Sequence, residues 1–248
     1  VHEGVKTDGS PGQLRTARYT VYRDDLDEVW KAGGYATGTA PAYDYVTVGP
    51  VSIRRTNADG QVTDEIRAER SGSGRLSSSD SFPQSSWLSW TSQGYDNHKR
   101  LEWQREYFLI PPSQGDAGVN GTNYAQSDFG YDLMNRRNRE RSGGGTISRM
   151  VYEARGLVTS SWTGTDDSGA TDEDPSGGGA SGNNMVKVAS NRYDDEGTPG
   201  FQPHGNGLLT ESIAYASGSD ERVTTYGYDW RGRRVGTSGE EAFFESRS

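Results

Sequence analysis

Arg222-Val223-Thr224-Thr225-Tyr226-Gly227-Tyr228-Asp229-Trp230-Arg231-Gly232-Arg233-Arg234 is the stretch on which the fold turns. Its first part alternates β-branched and aromatic residues with polar ones, the period of a half-buried strand. Tyr228-Asp229 closes that strand, Gly232 supplies the positive φ that a tight turn demands, and Arg233-Arg234 opens the next strand. One corner of a β-hairpin is written in these thirteen residues.

The corner recurs. Tyr131-Asp132-Leu133-Met134-Asn135-Arg136, Tyr152-Glu153-Ala154-Arg155-Gly156-Leu157 and Tyr193-Asp194-Asp195-Glu196-Gly197 repeat it, and Asn57-Ala58-Asp59-Gly60-Gln61-Val62 and Gly94-Tyr95-Asp96 are weaker copies. The tyrosines at 131 and 152 stand 21 residues apart, room for two short strands and two turns, hence one hairpin per repeat. The next intervals are 41 and 35 residues; the first holds a Gly, Ser, Thr and Asp tract over about 163–184 that reads as an inserted surface loop. In each copy the Tyr is expected to end a strand on its buried face, the Asp to cap the amides of the turn, and the Gly to take the left-handed position.

Elsewhere, Arg18-Tyr19-Thr20-Val21-Tyr22 and Thr47-Val48-Gly49-Pro50-Val51-Ser52-Ile53 also read as strands, and helical periodicity is scarce. The fold class is all-β, consecutive antiparallel hairpins. Residues 1–14 read as a disordered or linker N-terminus, 15–128 as degenerate hairpin repeats, and 129–248 as the clearest repeat segment. Fourteen Tyr and six Trp against three Met, with 34 Gly and only 30% hydrophobic residues, point to thin sheets packed by amphipathic rings.

Repeated Tyr-Asp-x-x-Gly-Arg units at this spacing resemble the RHS/YD-repeat family, which includes the extracellular teneurin shells. The 222–234 stretch with Gly239-Glu240-Glu241, and Val21-Tyr22-Arg23-Asp24-Asp25-Leu26 within Tyr19 to Gly38, are similar to long RHS proteins of planctomycete-type bacteria. The likeness spans roughly 15–245 and is firmest from Phe129 onward. It implies part of a spiralling β-shell, a non-enzymatic scaffold for encapsulation, display or adhesion within a larger secreted or cell-surface protein. The family's closing region, with Asp-Pro-x-Gly elements and a self-cleaving aspartyl site, finds no counterpart in this reading, nor does a toxin domain. The chain therefore reads as an internal or truncated piece, whose partners would be the rest of the parent shell or neighbouring repeats.

Charge and composition narrow the chemistry. A net charge of −9 argues against nucleic acid as a partner, and the local cluster Arg136, Arg137, Arg139, Arg141 reads as one solvated strand face. No apolar run is long enough for a membrane helix. The absence of Cys removes thiol nucleophiles and Cys-based zinc sites. His2, His98 and His204 are too scattered to form a metal site, and no Gly-x-Ser-x-Gly elbow is present. Neither a cofactor nor a catalytic residue is expected; a hydrolase acting through acidic residues has no motif to support it. The acidic group Asp166, Asp167, Asp172, Glu173 and Asp174 reads as a solvated loop, with a calcium site as the alternative. Asn120-Gly121-Thr122 is a formal glycosylation sequon that reads as a turn. Trp87, Trp90, Tyr95 and Trp103 either pack the wall or, on an open face, stack on sugar rings, which would make the chain a glycan-binding or adhesion module.

Overall fold

The computed structural model describes residues 2–5, 11–39, 42–72, 74–194, 206–216 and 220–239. Gly197 and His204 lie outside them. The architecture is all-β: β1 (His2–Val5), β2 (Pro11–Arg23), β3 (Glu28–Thr39), β4 (Ala42–Thr56), β5 (Val62–Ala68), β6 (Trp87–Tyr95), β7 (Leu101–Tyr107), β8 (Tyr124–Tyr131), β9 (Arg137–Arg141), β10 (Ile147–Tyr152), β11 (Val158–Gly164), β12 (Val186–Tyr193), β13 (Leu209–Tyr215), β14 (Glu221–Tyr228) and β15 (Arg234–Gly239). Strand order is chain order, and the described pairings are antiparallel. Residues 2–5 and 11–14 pair as strands β1 and β2 rather than forming a linker. Two compact units divide the chain, 1–128 and 129–248.

In the first unit the strands are long and alternate cleanly. Ile66 and Ala68 point to one face of β5 and are buried, while Glu65 and Arg67 point to the other and are exposed. Tyr19, Trp30, Val51, Ile53, Trp87 and Trp90 share that buried face, and residues 69–86 fold back over it, contributing Leu76 and Phe82. Arg70 holds this covering segment in shape. Its guanidinium grips both carboxylate oxygens of Asp80 at 3.0 Å and donates to the carbonyls of Gly72, Gly74 and Arg75. Trp30 packs edge-on against Phe82, ring centroids 4.9 Å apart, and its indole N–H donates to Glu28, which also accepts from Arg55.

The second unit has shorter strands and little apolar interior. Ile147, Pro175, Met185 and Ile213 are its buried apolar side chains among the described residues, alongside the buried polar Asp132, Asn138, Arg149 and Asp194. What holds it is found at the strand ends.

Candidate functional site: a ladder of corners and tyrosines

The corner at Asp132 sets the pattern. The Asp132 amide donates to the Arg136 carbonyl at 3.0 Å, the Asn135 amide returns to the Asp132 carbonyl at 3.0 Å, and Asn135 takes φ 62°. Asp132 Oδ1 accepts from the Met134 and Arg136 amides at 2.9 and 2.8 Å, while Oδ2 pairs with Arg136 Nε at 2.6 Å. One carboxylate thereby satisfies two turn amides and the guanidinium just before the next strand. Burial opposes the Asp132 charge, but the Arg136 amide and guanidinium and the Met134 amide outweigh it and hold the carboxyl below its ordinary range.

Asp229 reproduces these bonds with Arg231 and Arg233, and Asp96 with His98 and Arg100. The Arg233 guanidinium, then the Arg233 amide, depresses the Asp229 carboxyl; at Asp96 the Arg100 amide comes first. The two copies that look weaker in sequence fold the same way. At Asn57 the whole arrangement is neutral: Oδ1 accepts the amides of Asp59 and Gln61, and Nδ2 donates to Gln61 Oε1. Glu153 keeps the backbone bonds, to Leu157 and from Gly156, and turns its carboxylate to Arg155.

Asp194 departs from expectation. Its amide donates to the Leu208 carbonyl at 2.9 Å, and its Oδ1 accepts from the Gly207 amide at 2.6 Å. Gly207, at φ 75°, precedes Leu208 as Asn135 precedes Arg136, so this corner closes fourteen residues on, where the corner at Asp132 closes at four. Burial works against the Asp194 charge, and the Arg155 guanidinium with the Gly207 amide overcomes it, keeping the carboxyl low.

The tyrosines join one corner to the next. Tyr152 donates its O–H to the Arg137 carbonyl at 3.0 Å, Tyr193 to Val158 at 2.9 Å and Tyr228 to Leu209 at 2.8 Å; in the first unit Tyr95 donates to Val62 at 2.8 Å. In every case the acceptor is the residue that opens the strand after the preceding corner. Each of these tyrosines follows a register shift in its own strand, which tips the ring towards the previous repeat. The rings are half-buried, not buried as the sequence suggests, and Tyr131 occupies the same place before Asp132. Side chains reinforce the stacking: Arg136 reaches the Glu153 carbonyl at 2.8 Å, Arg155 pairs with Asp194, and Leu157 and Leu208 lie 3.5 and 3.7 Å from where a Cβ on Gly207 and Gly232 would stand.

The acidic tract is solvated only in part: Glu173 and Asp174 are exposed, whereas Asp167 and Asp172 engage the sheet. Residues 165–185 fold onto β9 and β10, where Arg139 and Arg149 stand directly opposite each other, a destabilising juxtaposition in isolation. Asp167 lies between them, 2.7 Å from Arg139 Nε and 2.8 Å from Arg149 Nη1, while Asp172 accepts from Asn138 at 2.7 Å and Pro175 is fully buried. Asp166 and Asp174 cap local turns at Ser168 and Ser176. Thus Arg139 belongs to a partly buried ion cluster, not a solvated face. The same loop contains Asp174-Pro175-Ser176-Gly177, so one Asp-Pro-x-Gly element is present in the chain after all.

The aromatic group is occupied in packing. Trp87 and Trp90 are buried edge to face, with indole N–H groups donated to the Phe82 carbonyl and to Asp64; Trp90 also stacks on Tyr107 at 3.8 Å. Tyr95 serves the ladder, and Trp103 covers Gly94, where a Cβ would come within 2.2 Å of the indole. His98 is exposed at a corner.

No known family matches the sequence, and no curated protein sequence is significantly similar. Solved structures that align with the chain are crystal structures of TcdB2-TccC3-TEV, with 14% identity and TM-score 0.47 over 97% of this chain, TcdB2-TccC3, with 11% and 0.42 over 95%, and TcdB2-TccC3-Cdc42, with 10% and 0.41 over 90%. This chain spans about a tenth of the length of each, 10–11%. Superpositions this loose carry no inference about function.

Proposed function

We propose that the chain is a structural wall segment of the RHS/YD-repeat type, with no catalytic role of its own, working within a larger secreted or cell-surface protein that encloses, displays or adheres. The observation that carries the reading is the tyrosine ladder. A hydroxyl donated to the backbone of the preceding repeat, at four places with one geometry, fixes hairpin to hairpin and leaves the polar atoms of each corner engaged in holding shape. Among the described residues β15 pairs on one side only, and an edge of this kind offers backbone groups to which another strand can pair. Its partner in this reading is a neighbouring repeat.

Native-state hydrogen exchange on the Tyr152→Phe and Tyr193→Phe variants tests the structural role. Faster exchange in the hairpins on both sides of the lost bond is expected, because repeat arrays draw stability from nearest neighbours. A screen of glycosidic, ester and peptide substrates tests the other half. Hydrolysis that disappears on changing one Asp or Glu would overturn the proposal.

A further inference from the structure

The exposed face of the first unit carries cations that the rest of the fold does not use. Register places Thr20, Lys31, Ser52, Arg67 and Ser89 in one row across β2 to β6, all exposed. Neighbouring strands lie about 4.8 Å apart, so Lys31 and Arg67 stand roughly 10 Å from each other with the Ser52 hydroxyl between them. Beside the row, Arg18 faces Gly33, which has no side chain, and Gly49-Pro50 bulges out of register opposite Ala32. The result is a shallow recess of about 300 Å³ lined by Arg18, Thr20, Lys31, Gly33, Pro50 and Ser52. Tyr22, 69% exposed, lies on the same face of β2, two residues beyond Thr20. Among the described residues no carboxylate pairs with Arg18, Lys31 or Arg67, whereas Arg23, Arg55 and Arg70 in the same unit all have acidic partners. On this face Glu65 stands opposite Arg54 and two residues before Arg67, the exposed Glu69 comes two residues after Arg67, and Glu106 lies two strands further along the Glu65 row, yet none of them forms an ion pair with Arg18, Lys31 or Arg67 among the described residues.

We infer that this row binds an acidic glycan, a saccharide bearing carboxylate or sulfate groups. Spaced cations alternating with hydroxyls match a chain of spaced anions alternating with hydroxyls, and the open Tyr22 ring offers a stacking face at the end of the row. An acidic peptide fits less well. Peptides gain affinity on sheets by adding to an edge, and here β2 to β5 are interior strands whose backbone groups are already paired. Three unneutralised cations in a protein of net charge −9 keep their self-energy low only in solvent or against an anion.

The test is titration calorimetry of the full chain at about 0.15 M salt, with a heparin hexasaccharide, an oligogalacturonate, a neutral malto-oligosaccharide and poly-glutamate as probes. Saturable binding of an acidic oligosaccharide and none of the neutral one is expected. The Lys31→Ala/Arg67→Ala pair should weaken it at least about tenfold, as loss of two anion contacts implies, with Lys31→Glu acting alone in the same direction. Tyr22→Ala should weaken the oligosaccharide and leave its salt dependence unchanged. Arg141→Ala/Arg222→Ala, exposed cations of the other unit, removes equal charge and should change affinity less than about twofold. The inference fails if neither acidic oligosaccharide saturates, if the control pair weakens binding as much as the row variants, or if poly-glutamate binds as tightly.

Discussion

The two units solve one problem by different means. In 1–128 a sheet face is buried under a returning segment, with thirteen of the sixteen buried apolar side chains of the described residues, prolines aside; in 129–248 the interior is thin and the Asp167 cluster and the corners supply the cohesion. Both nevertheless carry the same tyrosine bond. The ladder is thus independent of how the sheet faces are packed: it needs only a half-buried ring, a register shift and a free carbonyl one repeat away.

That contrast can be broken by experiment. Trp30→Ala should cost about 4 kcal/mol against about 2 for Ile213→Ala, measured by urea unfolding; equal costs would erase the difference in core. Removing charge should rank the other way. Asp167→Ala strands two opposed guanidinium groups and should cost about 3 kcal/mol, a loss that a merely solvated loop would not show. At the corners, Gly232→Val should cost about 1–2 kcal/mol because its φ of 73° disfavours a β-branched residue. Gly232→Asn should be nearly neutral, since Asn135 and Lys99 already hold the equivalent place at φ 62° and 64°. Tyr193→Phe and Tyr95→Phe should each cost about 1 kcal/mol, and matching values would place the ladder on one footing in both units.

The smallest effect concerns acid. Asp132 titrates below its ordinary value in the folded chain, so its contribution is complete above the unfolded pKa of about 3.9 and is lost as pH falls through the lower folded value. Unfolding midpoints should be flat above about pH 5 and drop below about pH 4. Asp132→Asn should soften that drop while keeping the turn, as the neutral Asn57 corner does. An unchanged acid limb would mean that the corner carboxylate is not part of it.

How much of this was legible depended on where the information sits. The strand period, the corner residues and the serial hairpins are side-chain properties and could be read directly, down to the Asp capping role. The ladder acceptors could not: Arg137, Val158 and Leu209 take part through their carbonyls, which every residue possesses. The bond from the Asp194 amide to Leu208, fourteen residues on, was not legible either, because it too is made by backbone atoms. The Asp167 cluster was hidden by distance, since Arg139 and Arg149 are 28 and 18 residues away and each looked solvated alone. The tryptophans at 87 and 90 were legible as candidates for either core or surface, and only the covering segment 69–86 decides between them.

The corner at Asp194 spans ten more residues than the others and still closes with the amide-to-carbonyl bond to Leu208 and a carboxylate that caps a turn amide, at Gly207. By loop-closure scaling the added length costs only about 1 kcal/mol. For protein engineering this makes it a grafting port. A foreign peptide inserted between Asp194 and Gly207 would meet the same clasp, formed by Asp194, Gly207 and Leu208.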